Sequence, residues 1–446
     1  MIVKLNKDNI NISATFLNNL IEKHTAEVSR LNLLDNHYLN RANIINRTMK
    51  DKSKPNNKLV NNYARYITTM AVGYFIGVPV VLNSENEELL TRLEAIYKYN
   101  DEADINTTLA TTASKFGYSY ELHYLDESAS IRFTAIDPRE LIYIVDTCLT
   151  GEPIMAIRYF KLDTEDDSYY IEVYDTSWRT EYILSDNNLI EKNKEAHNFK
   201  DVPIIRYDNN EDNLGDYEAV ITLIDAYNKA QSDTANDFEY FTDAYLKVTG
   251  TTLDTEEARN LKELRVFNFP DAGGDVAFVT KQINDTALEN YKNRLDQDIH
   301  KFSLVPCLTD ENFVGNASGV AMAYKLQGLE FLTGVKEQKF RKGLLRRVEL
   351  ITNVLSIKMN KELLFTDIGF TFTRNNPKNL VEIVQMAKDL TGIISEESQL
   401  DMLPMINTEQ EIQRKEEEKA AQITSYDMYN FNSNNNIEEQ KEDKEQ

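Results

Sequence analysis

Three short motifs hold residue types from which catalytic or ligand-binding sites are built, and each has a plainer explanation. The run "DEAD" at 101–104 matches a helicase motif, but no glycine-rich loop carrying Lys and Ser/Thr precedes it. The run "DAGGD" at 271–275 could cradle a phosphate, although its flanks "RVFNF" and "DVAFVTKQI" favour the turn of a β-hairpin. The sequon "NAS" at 316–318 accepts a glycan only in a secreted protein. None of the three predicts an active site.

The histidines and cysteines predict neither a metal centre nor a redox pair. The five histidines are scattered and match no zinc-ligand spacing; they are His24, His37, His123, His197 and His300. The two cysteines, Cys148 and Cys307, fit no metal or redox spacing, and so few cysteines are typical of a reducing compartment. Carboxylates are plentiful, but no pattern singles out a catalytic pair. We therefore expect no enzymatic activity, no cofactor and no metal site.

Composition and charge limit the class of protein further. Of 446 residues, 41% are apolar and 10% are aromatic, which is too many for a disordered chain. The sequence has no run of about 18 apolar residues, and its start lacks a signal-peptide pattern, so we expect no membrane partner. The net charge is −24, opposite in sign to that of a protein that grips nucleic acid with its whole surface.

The first half of the chain predicts helices followed by an antiparallel sheet. The pattern of residues 1–50 indicates polar helix, and that of residues 58–83 indicates a helix that ends near Gly77 and Pro79. Two more helices are expected at 84–99 and 103–115. From residue 118 the period changes to two. In "YSYELHYL" the large side chains alternate with Ser119, Glu121 and His123, which is typical of a half-buried strand. An antiparallel meander is expected to continue to about residue 210.

A long amphipathic helix is predicted from residue 216 to residue 247. This stretch holds neither Gly nor Pro, its apolar residues recur every three or four positions, and it would be about 48 Å long. A second helix, predicted at 287–304, would cover little more than half that length. Since a helix with one apolar stripe needs packing partners along its whole length, identical neighbours in a closed ring would supply the rest. Residues 249–283, between the two helices, predict a compact insert.

Two charged stretches allow more than one interpretation. The predicted helix at 216–247 carries seven acids against two lysines, and Asp225–Lys229 and Asp243–Lys247 would form ion pairs on a solvated face. The run "KEQKFRKGLLRR" at 336–347 holds six bases and one acid. It predicts either a helix face that pairs with acidic neighbours or a contact with phosphate; the bases are Lys336, Lys339, Arg341, Lys342, Arg346 and Arg347.

The stretch "TDENFVGNASGVAMAYKLQGLE" at 309–330 interrupts two strongly helical segments with a cluster of glycines and small polar residues. By itself it could be a phosphate cradle, an active-site loop, a helix cap or a mobile element that touches a passing partner. Asn316 or Ser318 is expected to cap a helix that runs to about residue 359. An alternating stretch at 361–375 and three helices beyond Pro377 follow, and residues from about 423 predict disorder.

Several of these stretches resemble the portal (head–tail connector) proteins of siphovirus-type tailed bacteriophages. The resemblance rests on "KLVNNYARYITTMAVGYFIGVPV", "DPRELIYIVD", "VPIIRYDNNEDNLGDYEAVITLIDAYNKAQSDTANDFEYFTDAYL" and above all "LTDENFVGNASGVAMAYKLQGLE". It covers roughly residues 30–420 in matching order. The insert at 251–283 and the acidic tail match least well.

For the fold, the resemblance implies an α+β, mostly helical portal fold with long stem helices, an antiparallel β wing, a small α/β clip and a helical crown. The regions would be N-terminal helices and β-rich wing at 1–215, stem helix at 216–250, clip at 251–283, second stem helix at 284–305, tunnel loop at 306–318, long wing helix and strand at 319–376, crown at 377–422 and a disordered acidic tail at 423–446.

For the function, the resemblance implies a ring of twelve copies at one capsid vertex, through which double-stranded DNA is packaged and ejected. The ring would dock the terminase large subunit, the head-completion adaptor and the major capsid and scaffolding proteins. It would be part of the virion, assembled in the cytoplasm of the bacterial host. A catalytic nuclease or helicase component of the packaging machinery is the alternative, and a structural connector without a DNA channel is a third possibility.

The resemblance also assigns roles to two groups of residues. The tunnel loop would bring one group close to the DNA; its members are Asn312, Phe313, Gly315, Asn316, Ser318 and Gly319. Acids of the first stem helix would line the channel and repel the phosphates of a sliding duplex; these are Asp225, Asp233, Asp237 and Asp243.

Overall fold

The computed structural model describes residues 2–52, 54–161, 168–241, 245–249, 275–279, 285–308, 319–375, 380–403, 406–408 and 410–419. Contacts divide the chain into two units, residues 1–375 and residues 376–446. Helices and sheets are both present, so the predicted α+β class is confirmed. Within the described ranges, no helix combines the length and the apolarity needed to cross a membrane.

Four helices form the N-terminal part of the first unit: α1 (Ala14–Tyr38), α2 (Tyr63–Ile76), α3 (Glu87–Tyr99) and α4 (Glu102–Phe116). The first three begin at a polar cap. The side chains of Ser13, Asn62 and Asn86 each accept a hydrogen bond from the backbone N–H three residues later, which satisfies a donor that the helix leaves unpaired. The helices predicted at 58–83, 84–99 and 103–115 are confirmed.

Thirteen strands are described. In chain order they are β1 (Ile2–Leu5), β2 (Val81–Asn83), β3 (Tyr118–Leu125), β4 (Ile131–Ile136), β5 (Leu141–Asp146), β6 (Pro153–Phe160), β7 (Tyr169–Tyr174), β8 (Trp178–Ser185), β9 (Asn188–Ala196), β10 (Ile204–Asp208), β11 (Tyr245–Thr249), β12 (Asp275–Val279) and β13 (Gly369–Thr371).

The predicted meander forms two sheets rather than one. Strands β5 to β9 pair in sequence in a six-stranded sheet, and β10, β3 and β4 form a separate three-stranded sheet. β1 joins the edge of the larger sheet in parallel with β5, so the prediction of helix throughout residues 1–50 is wrong at residues 2–5. The reason is tertiary, because Ile2 pairs with Tyr143, far along the chain, and nothing in the local pattern indicates that partner.

The helix predicted at 216–247 is shorter in the structure. A short 3-10 turn at Glu218–Val220 leads into α5 (Ile221–Phe241), whose 21 residues span about 32 Å. Strand β11 follows and pairs with β12, with Lys247 opposite Ala277, so Lys247 lies on a strand and not on a helix. Asp243, its predicted partner, lies outside the described residues. The aromatic and β-branched residues of "YLKVT" favour a strand once a partner strand is available.

Two further helices are described in the first unit. α6 (Asp285–Ser303) packs against α5, and α7 (Gly319–Met359) runs for 41 residues as predicted. α7 contacts α2 and β10, and its buried side chains share a core with β4 and β10 of the three-stranded sheet. The alternating stretch at 361–375 contains one strand, β13, which pairs with β2.

The strand β3 lies between two layers, which corrects the prediction that it is half-buried. Residues 118–123 are all buried, including the polar Ser119, Glu121 and His123. Tyr118, Tyr120 and Leu122 pack towards the six-stranded sheet. The opposite face, which the alternation assigns to solvent, is covered by α7.

The described residues of the second unit form three helical segments, as predicted: α8 (Leu380–Asp389), α9 (Glu396–Asp401) and residues 410–419. Ser395 caps α9 through a hydrogen bond from the Ser398 N–H at 3.2 Å. The last helix is capped by Asn407, whose side chain accepts from the Gln410 N–H at 3.1 Å.

Candidate functional site

The acid Asp225 of α5, predicted to line a channel, binds the N-terminal part of the same chain. Its carboxylate accepts hydrogen bonds from His37 Nε2 at 3.1 Å and Asn43 Nδ2 at 2.9 Å. Burial opposes the charge on Asp225, but these two hydrogen bonds outweigh it and lower the pKa of the carboxyl group. Burial likewise opposes the charge on His37, and the contact with Asp225 still raises its pKa. Asp225 therefore links α1 to α5.

The other predicted acids differ in their surroundings. Asp233 accepts hydrogen bonds from Arg47 Nη1 at 2.6 Å and from Lys229 Nζ, one helical turn earlier, at 2.7 Å. Asp237 is half-buried near the end of α5. Asp243 lies outside the described residues. Asp225 and Asp233 thus share their charge with basic groups of the same chain.

An extended segment at 57–61 lies along α5 and is held by a regular series of hydrogen bonds. Backbone N–H groups of alternate residues donate to side chains four positions apart on the helix: Asn57 to Asn236 at 2.7 Å, Leu59 to Ser232 at 2.9 Å and Asn61 to Asn228 at 2.7 Å. The spacing matches because two extended residues advance about 6.6 Å and four helical residues about 6 Å. One face of α5 is therefore covered by its own chain.

The N-terminus of α2 packs where α5 meets α6. The Tyr63 hydroxyl donates to Asp296 Oδ1 at 2.6 Å, and its ring lies edge-on to those of Tyr227 and His300. Burial, together with the nearby carboxylate of Asp296, raises the pKa of Tyr63. These contacts fix the end of α6 from which the chain enters the predicted tunnel loop.

The first residues of the predicted tunnel loop are tightly anchored. Leu304 has a left-handed backbone with φ of 60°, which turns the chain at the end of α6. His300 Nδ1 lies 2.8 Å from the Val305 carbonyl, so this nitrogen carries the proton. The Tyr66 hydroxyl donates to the Pro306 carbonyl at 3.0 Å and accepts from the Leu308 N–H at 3.0 Å. One phenol thus holds the chain on both sides of Cys307.

The structure describes only the two ends of the stretch that carries the predicted DNA-proximal residues. Asn312, Phe313, Gly315, Asn316 and Ser318 lie outside the described residues, and so does the predicted cap. Gly319 is the first residue of α7.

Replacing Tyr66 by phenylalanine should free the start of this loop. The variant loses a donor and an acceptor to the backbone at once, and we expect the free energy of unfolding to fall by about 1–2 kcal/mol. Hydrogen exchange of the Leu308 amide should speed up more than exchange within α2. The matched control is Tyr99→Phe, an exposed tyrosine, which should change neither quantity. Unchanged exchange at Leu308 in the Tyr66 variant would contradict the anchoring role.

The basic stretch of α7 pairs with acidic neighbours, which is the first of its two predicted interpretations. Lys336 Nζ lies 2.6 Å from Asp216 Oδ2, and Arg346 Nη2 lies 2.6 Å from Asp201 Oδ2. Two more pairs follow the same pattern, Lys339 with Glu211 and Arg341 with Glu337. Lys342 is exposed.

Arg347, the last base of the stretch, forms a fully buried network that the sequence did not reveal. Its guanidinium donates to both oxygens of Glu121, from Nε at 2.9 and 3.1 Å, and lies among the rings of Tyr97, Phe133 and Tyr207. Burial opposes the charge on Glu121, but Arg347 and then His123 overcome it and hold its pKa at about 2. The sequence signal that could have indicated this network was the pair of polar residues on β3, Glu121 and His123. Their basic partner, Arg347, is 226 residues after Glu121, so no local pattern connects them.

Comparison with known proteins identifies one family. The family model described as "Phage portal protein, SPP1 Gp6-like" matches residues 17–425. The portal protein of Bacillus phage SPP1 is 25% identical over 393 residues, which cover 82% of this chain and 77% of that protein. The portal protein of Clostridium phage phiCD119 is 24% identical over 432 residues, which cover 89% of this chain and 94% of that protein.

Two solved structures have weaker similarity. A chain in the neck of an empty GTA particle, computed with C6 symmetry, has a TM-score of 0.46 at 13% identity. A chain in the neck of a native GTA particle, computed with C12 symmetry, has a TM-score of 0.45 at 14% identity. Each match covers 78% of this chain and 90% of the other.

Proposed function

Because the chain belongs to the SPP1 Gp6-like family of phage portal proteins, we propose that twelve copies form a closed ring at one vertex of a capsid. The match of the family model over residues 17–425 carries this proposal. The surface of α6 supports it. Leu295 and Ile299 of its apolar stripe are buried within one chain, whereas Tyr291 and Phe302 remain about half exposed. Neighbouring subunits in a ring would cover such aromatic side chains.

The ring would enclose a channel for double-stranded DNA during packaging and ejection. The net charge of −24 suits this role, since an acidic wall repels phosphate and lets the duplex slide. We propose Asp225, Asp233, Asp237 and Asp243 as the acidic lining. Asp225 and Asp233 would contribute less potential, because His37, Arg47 and Lys229 share their charge.

The stretch at 306–318 is proposed as a loop that projects towards the DNA. Support comes from its two ends: Tyr66 and His300 hold residues 305–308 in place, and Gly319 opens the 41-residue helix α7. A segment held at both ends can present its middle to a passing duplex without losing its position. The residues proposed for this contact are Asn312, Phe313, Gly315, Asn316, Ser318 and Gly319.

We propose that residues 251–283 form the clip, which would face the terminase large subunit and later the head-completion adaptor. The paired strands β11 and β12 flank and enter this segment, which supports a compact insert at the end of the α5–α6 pair. Residues 377–422 would form a crown inside the capsid, and the outer surface would contact the major capsid and scaffolding proteins. The protein would thus be a virion component that performs no catalytic step.

Electron microscopy of the purified full-length protein in negative stain tests the ring. We expect top views of a ring of twelve subunits around a central hole about as wide as a DNA duplex. Particles without a hole, or protein that stays monomeric at every concentration and in the presence of capsid and scaffolding proteins, would refute the channel. Hydrolysis of ATP or cleavage of DNA by the purified protein would instead support the catalytic alternative.

A further inference from the structure

An apolar ridge runs along one face of α7. Tyr324, Phe331 and Val335 are 73%, 65% and 46% exposed, and their spacing of seven and four residues places them on one side of the helix. Gly328 lies on the same face, four residues after Tyr324. Leu304, which is also exposed, lies next to it, because a Cβ added to Gly328 would be 3.4 Å from the backbone oxygen of Leu304. Single exposed apolar residues are common, but four contiguous ones indicate a contact surface.

An apolar groove lies between α2 and α4. It encloses about 430 Å³, and its apolar lining includes Val72, Gly73, Ile76, Pro79 and Val80. A Cβ added to Gly73 would meet no atom within 4 Å, so the groove is open above this residue.

Ridge and groove lie on opposite sides of the layer that α2 and α7 form. Within one chain α2 meets α7 through Phe75, whose ring is edge-on to that of Phe340 at 5.6 Å. With 100° per residue, Gly73 lies on the side of α2 away from Phe75, and Phe331 lies on the side of α7 away from Phe340. One chain therefore cannot bring its own ridge into its own groove.

We propose that the ridge of one subunit docks into the groove of the next subunit in the ring. This inference rests on the proposed ring and names the surfaces that build it. A projecting face and a matching recess on opposite sides of one chain define a heterologous interface, and such an interface repeats from copy to copy until the rotation closes. The occupant is a second copy of this chain, since the same polypeptide carries both an exposed apolar ridge and an apolar groove, on opposite sides.

Disulfide cross-linking tests the contact directly. In full-length protein with Cys148 and Cys307 replaced by serine, we combine Gly73→Cys with Phe331→Cys. Because the interface is head-to-tail, oxidation should give a ladder of dimers, trimers and larger species on a non-reducing gel. Each single cysteine variant should give no ladder, and neither should Gly73→Cys combined with Ile357→Cys, an exposed position near the far end of α7.

Two substitutions test whether the contact drives assembly. Phe331→Glu and Gly73→Leu should each raise the concentration for half assembly at least about tenfold, measured by light scattering after size exclusion. Neither should lower the thermal stability of the monomer, because Phe331 is exposed and Gly73 borders open space. Ile357→Glu is the matched control and should assemble normally.

The outcomes separate this inference from the proposed function. Suppose that the Phe331→Glu protein forms normal twelve-subunit rings and that the Gly73→Cys, Phe331→Cys protein gives no cross-linked ladder. These results would overturn the ridge–groove contact and leave the proposed ring intact. Cross-linking that stops at dimers would replace the head-to-tail contact by a two-fold one and overturn the inference. Protein that forms no ring at all would overturn both.

Discussion

Replacing Arg347 by methionine should lower the free energy of unfolding by about 3–5 kcal/mol, the largest effect expected of a single substitution in this chain. The guanidinium is the main charge partner of Glu121, and both side chains are fully buried. Without it the Glu121 carboxylate either stays charged in an apolar environment or takes up a proton, and each costs free energy. Urea-induced unfolding followed by circular dichroism measures the loss.

A double variant distinguishes loss of the charge partner from loss of packing. Arg347→Met combined with Glu121→Leu removes both charges and should recover much of the stability, because buried ion pairs replaced by apolar residues are often close to neutral. Lys342→Met, on the same helix but exposed, should change the free energy of unfolding by less than about 0.5 kcal/mol. A small effect of Arg347→Met alone would show that water reaches Glu121.

Replacing Gly343 by alanine should destabilise the protein by about 1–3 kcal/mol, although alanine is the better helix former. The new Cβ would lie 2.3 Å from two carbons of the Tyr207 ring. That ring cannot move aside easily, because it is fully buried and its hydroxyl donates to Glu121 Oε2 at 3.2 Å. α7 can therefore pass over β10 at this point only with glycine.

A glycine-to-alanine substitution at Gly334, earlier in the same helix, provides the control. A Cβ added to Gly334 would meet no atom within 4 Å, so Gly334→Ala should stabilise the protein by about 0.5–1 kcal/mol through helix propensity alone. The two variants should therefore shift the urea midpoint in opposite directions. Shifts of the same sign would mean that the approach of Tyr207 to Gly343 does not limit packing.

Local patterns in the sequence predicted most elements and their order. The 41 residues of α7 and the strand β13 follow from periodicity, and the helices α2 and α3 follow from periodicity and caps. Both signals act between residues that are close in the sequence. The family resemblance was also present in the sequence, and the family model over residues 17–425 confirms it.

Pairings between distant residues could not be predicted in this way. The stretch 245–249 continues the helical pattern of α5, yet it forms a strand because β12, about thirty residues later, offers hydrogen bonds to its backbone. Glu121 and His123 alternate with apolar residues as solvent-facing residues do, yet α7 covers them and Arg347 supplies the countercharge.

The sequence by itself determined the fold class, the family, the helical and extended segments and the acidic character of the chain, because these depend on composition and on neighbours in the chain. The tertiary structure alone decided that five of the six bases at 336–347 form ion pairs and that α5 binds several residues between 37 and 61 of its own chain. It also decided that the ridge on α7 and the groove between α2 and α4 lie on opposite sides of the layer that α2 and α7 form. These depend on which distant surfaces meet, and the free energy of burial selects those partners only in the folded chain.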